Sequence, residues 1–156
     1  MSAEHALWKG EAKKPELTAT PQLEAAIRAV ASVSKQKKGT VLFRRGDPAS
    51  GIFLILNGEV TLRLEGQKSI YPARTLGRGA ILGLPGTLSG GRYSLAAEVS
   101  EDAELAFVSR PDFVALLATD GHLCLEAMNL LGREIASIRS ALVWHRSKKS
   151  GGSKAQ

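Results

Sequence analysis

Val41-Leu-Phe-Arg-Arg-Gly-Asp-Pro-Ala-Ser-Gly-Ile-Phe-Leu-Ile-Leu-Asn-Gly-Glu-Val60 is the stretch on which the fold reading turns. A short β-rich run ends in a Gly46-Asp47 turn, an apolar run follows, and Gly58 stands two residues before Val60. Glycine supplies the positive φ that tight turns need, and aspartate can bond nearby backbone N–H groups. Ile52 to Leu56 is continuously apolar, as expected of a strand covered on both faces.

The same texture extends in both directions. Strands are predicted at Thr40 to Phe43, Ile52 to Asn57, Glu59 to Leu64, Ser69 to Tyr71, Leu95 to Ser100 and Glu104 to Ser109, with Gly, Asp and Pro between them. Many short strands separated by turn signals argue for a sandwich or barrel. Upstream, Leu23, Ala26, Ile27 and Val30 have helical spacing within Pro21 to Val33, with Thr20 as N-cap and Pro21 at the first position. Met1 to Ala19 is polar, lacks periodicity and reads as a loose segment.

After Pro111 the pattern returns to helix, first at Asp112 to Leu117 and then beyond Gly121. Cys124, Met128, Leu131, Ile135, Ile138 and Leu142 are spaced 4, 3, 4, 3 and 4, the a/d seam of a heptad repeat. A narrow seam of this kind favours pairing with a second copy, because a helix lying only on its own core shows a wider stripe. The helix expected over about 121–143 would be roughly 30 Å long. In Thr119-Asp-Gly121, Asp120 can cap the helix that follows and Gly121 can absorb a backbone change.

A chain of 156 residues has room for one domain. Its 44% hydrophobic and 23% charged residues are ordinary for a soluble protein, and no apolar run approaches the roughly 20 residues a membrane span needs. No secretory signal is visible, and the single Cys124, read as a buried small apolar residue, suits a reducing cytoplasm. The charge is unevenly spread. Residues 1–40 hold seven Lys/Arg against four Asp/Glu, residues 41–143 ten against eleven, and residues 144–156 four against none. The last segment has the Gly/Ser/Lys composition of a disordered basic tail.

The pattern from Val41 to Val60, with the strand spacing and the terminal heptad helix, resembles the cyclic-nucleotide-binding domain family, which includes the bacterial catabolite activator protein. The resemblance covers about residues 20–143 and implies a jelly-roll β-barrel with flanking helices, followed by a long dimerising helix. It also implies a phosphate-binding cassette near residues 79–95. There the family reads Phe-Gly-Glu, a short helix, and then Arg followed by Ser or Thr and Ala. Backbone N–H groups and the Arg receive the cyclic phosphate, while the Glu accepts the ribose hydroxyl.

This chain departs from that pattern at both charged positions. Gly83 matches, but Leu84 stands at the Glu position. The alternation of Leu95, Ala97 and Val99 sets the inward face of the next strand, which aligns Ser94 with the family's Ser/Thr, Tyr93 with its Arg, and leaves Arg92 one residue early, facing solvent. A register shift through Gly90-Gly91 would instead bring Arg92 into the pocket. Losing both charged contacts removes roughly 3 to 6 kcal/mol, or about two to four decades of affinity. Candidate ligand-binding residues are Gly83, Leu84, Pro85, Gly86, Thr87, Arg92, Tyr93 and Ser94, with Pro85 suited to the first turn of the short helix. The expected ligand is cAMP or cGMP held weakly, or another small molecule.

Catalysis has no visible residues. His5, His122 and His145 all lie outside the strands, so the metal site of a cupin-like enzyme is not expected, and no nucleophile motif occurs. The chain therefore reads as a cytoplasmic, homodimeric sensor that binds a small molecule and acts on a protein partner, without metal or membrane. Two other readings stay open: the sensor half of a transcription regulator whose helix-turn-helix lies outside this chain, and an inert dimerisation or adaptor module. Nucleic-acid binding is not expected of these residues alone.

Overall fold

The computed structural model describes residues 18–64 and 73–154, with side chains as far as Arg139 except Ile138. Helix α1 (Pro21–Val30) starts where Thr20 Oγ1 accepts from the Leu23 amide at 3.2 Å, with Pro21 in the first turn. It buries Leu23 and Ile27 completely. The helix stops three residues short of the expected Val33, because the chain turns extended at Ala31 and enters β1 (Ser32–Gln36). That strand is held by antiparallel pairing with residues 103–107, a partner far away in sequence.

Strands β2 (Val41–Phe43), β3 (Gly51–Arg63), β4 (Arg74–Leu76), β5 (Ile81–Leu82) and β6 (Ala96–Ser109) follow, with helix α2 (Leu84–Ser89) between β5 and β6. One antiparallel sheet results, in the order β1-β6-β3-β4, with β2 also pairing β6 and β5 also pairing β3. Among the described residues the sheet curls without closing into the expected barrel, since β1 and β4 at the ends of the path do not pair with each other. The pairs of strands expected on either side of Gly58 and of Asp102 are continuous, forming β3 and β6, which run against each other from Gly51↔Ser109 to Arg63↔Ala96. The strand expected at Ser69 to Tyr71 lies outside the described residues.

The inner face of the sheet gathers Phe43, Ile55, Val60, Leu62, Tyr93, Leu95, Val99 and Leu105, whereas the outer face packs Ile52, Leu54, Leu56, Ala106 and Val108 against the helices. Ile55 and Val60 share a face although they are five residues apart. Strict alternation would put them on opposite faces, and the β3–β6 register shifts between them restore the inward face. Gly58 lies at this irregularity with φ +90°, its α-carbon so close to the Asp102 carbonyl that a side chain would collide with it.

Helix α3 (Arg110–Thr119) is capped by Ser109, whose hydroxyl accepts from the Asp112 amide, and buries Phe113 and Leu117. Helix α4 (Gly121–Lys154) begins where Asp120 Oδ1 accepts from the amides of His122 and Leu123 at 2.9 and 3.3 Å. It continues eleven residues beyond Val143. The basic tail read as disordered is therefore helical backbone as far as Lys154: no proline interrupts it, and cations suit a helix C-terminus. Thr20 of the α1 cap donates to Glu126 Oε1 at 2.5 Å, tying α1 to α4. No described helix is long and apolar enough to cross a membrane.

Candidate functional site

The segment from β5 to β6 forms a compact cassette. Gly83 caps α2 with φ +84°, and a Cβ there would lie 2.7 Å from Tyr93 Cε1, so both the backbone and the neighbouring ring require glycine. At the far end Gly90 is left-handed and its amide, with that of Gly91, returns to the Gly86 carbonyl, closing the helix. Arg110 at the start of α3 reinforces the turn by donating from Nε to the Thr87 carbonyl at 2.9 Å.

Tyr93 points inward. Its ring stacks on Phe43 with centroids 3.8 Å apart and planes 14° apart. Its hydroxyl donates to the Gly51 carbonyl at 2.6 Å and accepts from the Gly51 amide at 3.2 Å. The Tyr93 backbone is paired with the turn, donating to the Asp47 carbonyl and accepting from the Gly46 amide. Arg92 consequently points outward, and its Nη1 donates to the Gly46 carbonyl at 2.7 Å. The Gly-Asp turn and the end of the cassette are thus one hydrogen-bonded unit, with Asp47 Oδ2 accepting from the Arg44 amide to hold the turn.

Gly83, Pro85, Gly86, Tyr93 and Ser94 line a single cleft, together with Phe43, Leu62 and Leu95. Its free interior volume is about 10 Å³, room for about one water. Leu84 faces away, into a second cleft with Arg74, Leu76, Ile81 and Leu130. Thr87 is buried and its Oγ1 has no hydrogen-bond partner among the described residues. The geometry therefore assembles five of the eight candidate residues around one cavity and directs Leu84, Thr87 and Arg92 elsewhere.

One residue at this site did not stand out in the sequence. Glu134 on α4 borders both clefts. Burial pushes its carboxyl up to about 7 from the ordinary 4.5, and the Arg74 guanidinium opposes only part of that rise. The available signal was a second row on α4: Leu123, Ala127 and Leu130 are buried, and continuing their 4, 3 spacing reaches Glu134 and Ser137. The heptad seam is a neighbouring row. Cys124 and Leu131 on it are half-buried, Met128 and Ile135 are exposed, and the side chains of Ile138 and Leu142 lie outside the described residues.

Residues 34–120 match the family model of the cyclic nucleotide-binding domain. The chain belongs to this family. No curated relative matches it. Among solved structures, one described with a cyclic-GMP-dependent signalling pathway that regulates bacterial phytopathogenesis is 23% identical, with a TM-score of 0.66 over 79% of this chain and 96% of that one. The catabolite activator protein of Thermus thermophilus is 26% identical, with a TM-score of 0.65 over 83% of this chain and 60% of its own. The regulator CLP of Xanthomonas campestris, described as c-di-GMP-responsive, is 20% identical with a TM-score of 0.62, and covers 84% of this chain and 63% of that one. These likenesses support the fold expected of a cyclic nucleotide-binding domain, a β-rich body followed by a long C-terminal helix. The family is a regulatory rather than a catalytic one.

Proposed function

We propose that residues 20–143 are a cytoplasmic, dimeric regulatory sensor of the cyclic nucleotide-binding family in which cAMP and cGMP bind weakly or have been replaced by another small ligand. The observation that carries this reading is the placement of Tyr93. Tyr93, read as the counterpart of the family's arginine, makes both polar contacts of its hydroxyl to Gly51, and Arg92 is engaged on the Gly46 carbonyl outside the cleft. With Leu84 turned into the other cleft, on this reading neither charged side chain is available to a cyclic nucleotide. The exposed Met128 and Ile135 supply the apolar surface for pairing through α4, and the module passes its signal to a protein partner. Isothermal titration with cAMP and cGMP tests the ligand reading. Dissociation constants weaker than micromolar are expected, and a micromolar or tighter constant abolished by Arg92→Ala would overturn it.

A second reading rests on the likeness to a longer protein. The chain spans 60% of the length of the Thermus thermophilus catabolite activator protein, and on this reading it is the sensor part of a DNA-binding regulator. Finding a helix-turn-helix encoded in frame after Gln156 would select this reading over that of a stand-alone module.

A further inference from the structure

The sheet-facing row of α4 changes character along its length. Leu123, Ala127 and Leu130 are apolar and buried, but the next two members are Glu134, which borders both clefts, and Ser137, which meets Arg74 of β4. Glu134 is the residue common to the clefts on the two sides of Leu84 and Pro85, so it sits at the seam between α4 and α2. Beside it, Arg74 of β4 donates from Nη1 to Ser137 Oγ at 3.1 Å, while Arg74 Nε is buried without a partner among the described residues. Asp120 is extended between α3 and α4, and Gly121 has no atom within 4 Å of where a side chain would stand.

We propose that Glu134 is a proton-operated latch between α4 and the cassette, seated when protonated and released when ionised, with Asp120 and Gly121 as the hinge. This goes beyond the sensor reading and requires no ligand. The groups lining the two clefts with it account for its behaviour. From β4 comes one cation, Arg74; from β5 and α2 come Ile81, Leu84 and Pro85; from the inner sheet come Leu62 and Leu95, with Tyr93, whose hydroxyl is committed to Gly51. On its own helix the adjoining row members are Leu130 and Ser137, whose hydroxyl accepts from Arg74, and Ser94 lines the cleft on the cassette side. An ionised carboxylate is poorly solvated among these side chains and a single guanidinium compensates only in part, so docking favours the proton.

The direction of the pH effect follows from linkage. Docked Glu134 holds its proton up to about pH 7, whereas an undocked one releases it near the ordinary 4.5. Docking is therefore fully favoured below about 4.5, weakens as pH rises between those values, and reaches its weakest level above about 7. The full chain, followed by amide hydrogen exchange between pH 5 and 8 and corrected for intrinsic rates, should lose more than tenfold of the protection over residues 130–139. Glu134→Gln, neutral and of the same shape, should keep that protection at every pH. Flat protection in the native chain, or an equal fall in the Gln variant, would overturn the proposal. Should the variant not fold, carbon NMR titration of Glu134 in the native chain decides instead: an apparent pKa above about 6 supports the latch, and one near the ordinary value removes it.

Discussion

The Tyr93 hydroxyl donates to the Gly51 carbonyl at 2.6 Å and accepts from the same residue's amide at 3.2 Å, joining the end of the cassette to the first residue of β3. Both partners are buried, so neither backbone group has water to fall back on. Tyr93→Phe keeps the stack on Phe43 and removes only the hydroxyl. It is expected to destabilise the domain by about 1–3 kcal/mol, the cost of leaving a buried polar group unpaired. Urea unfolding of the two proteins measures it, and equal midpoints would show the contact to be dispensable.

Placing a cation inside the cleft should raise nucleotide affinity. Tyr93→Arg puts a guanidinium where the ring now lies, and cAMP should then bind at least about tenfold more tightly than to the native chain, from roughly 1.5–3 kcal/mol per charged hydrogen bond. Calorimetry on the folded variant gives the ratio. An unchanged affinity would mean that the closed cleft, rather than the missing charges, excludes the nucleotide.

Two glycines should respond in opposite directions to the same substitution. Gly83→Ala meets both φ +84° and the Tyr93 ring, and is expected to destabilise by about 1–2 kcal/mol from the left-handed backbone alone, more with the clash. Gly132→Ala lies in the exposed part of α4 with nothing within 4 Å, and is expected to stabilise by up to about 1 kcal/mol through helix propensity. Thermal unfolding midpoints that move in the same direction would contradict this account.

Pairing through α4 is testable by sedimentation at micromolar concentration. The native chain should run at twice its 16.6 kDa, and Ile135→Glu should return it to monomer, because a carboxylate placed in an apolar seam must be desolvated. A native monomer would end the dimer reading. Circular dichroism on the variant separates dissociation from unfolding.

Short-range chemistry made much of the molecule legible in advance. Thr20 with Pro21 starts α1, Pro111 lies in the first turn of α3, Asp120 caps α4, and the Gly46-Asp47 turn precedes the apolar run of β3, because each depends on side chains within a few residues of the backbone groups they serve. The outward orientation of Arg92 was also readable, from the alternation of the strand that follows it. Other features depend on partners remote in the chain. Residues 32–36 carry no strong strand pattern and become β1 only by pairing with residues 103–107. The interruption at Gly58 reads as two strands until β6 spans it. Glu134 looks like an ordinary exposed helix acid, and only the tertiary fold brings it to the clefts lined by Leu84 and Pro85, beside Arg74. Capping and turn formation are local, whereas burial and its electrostatic consequences are set by which surfaces the folded chain brings together.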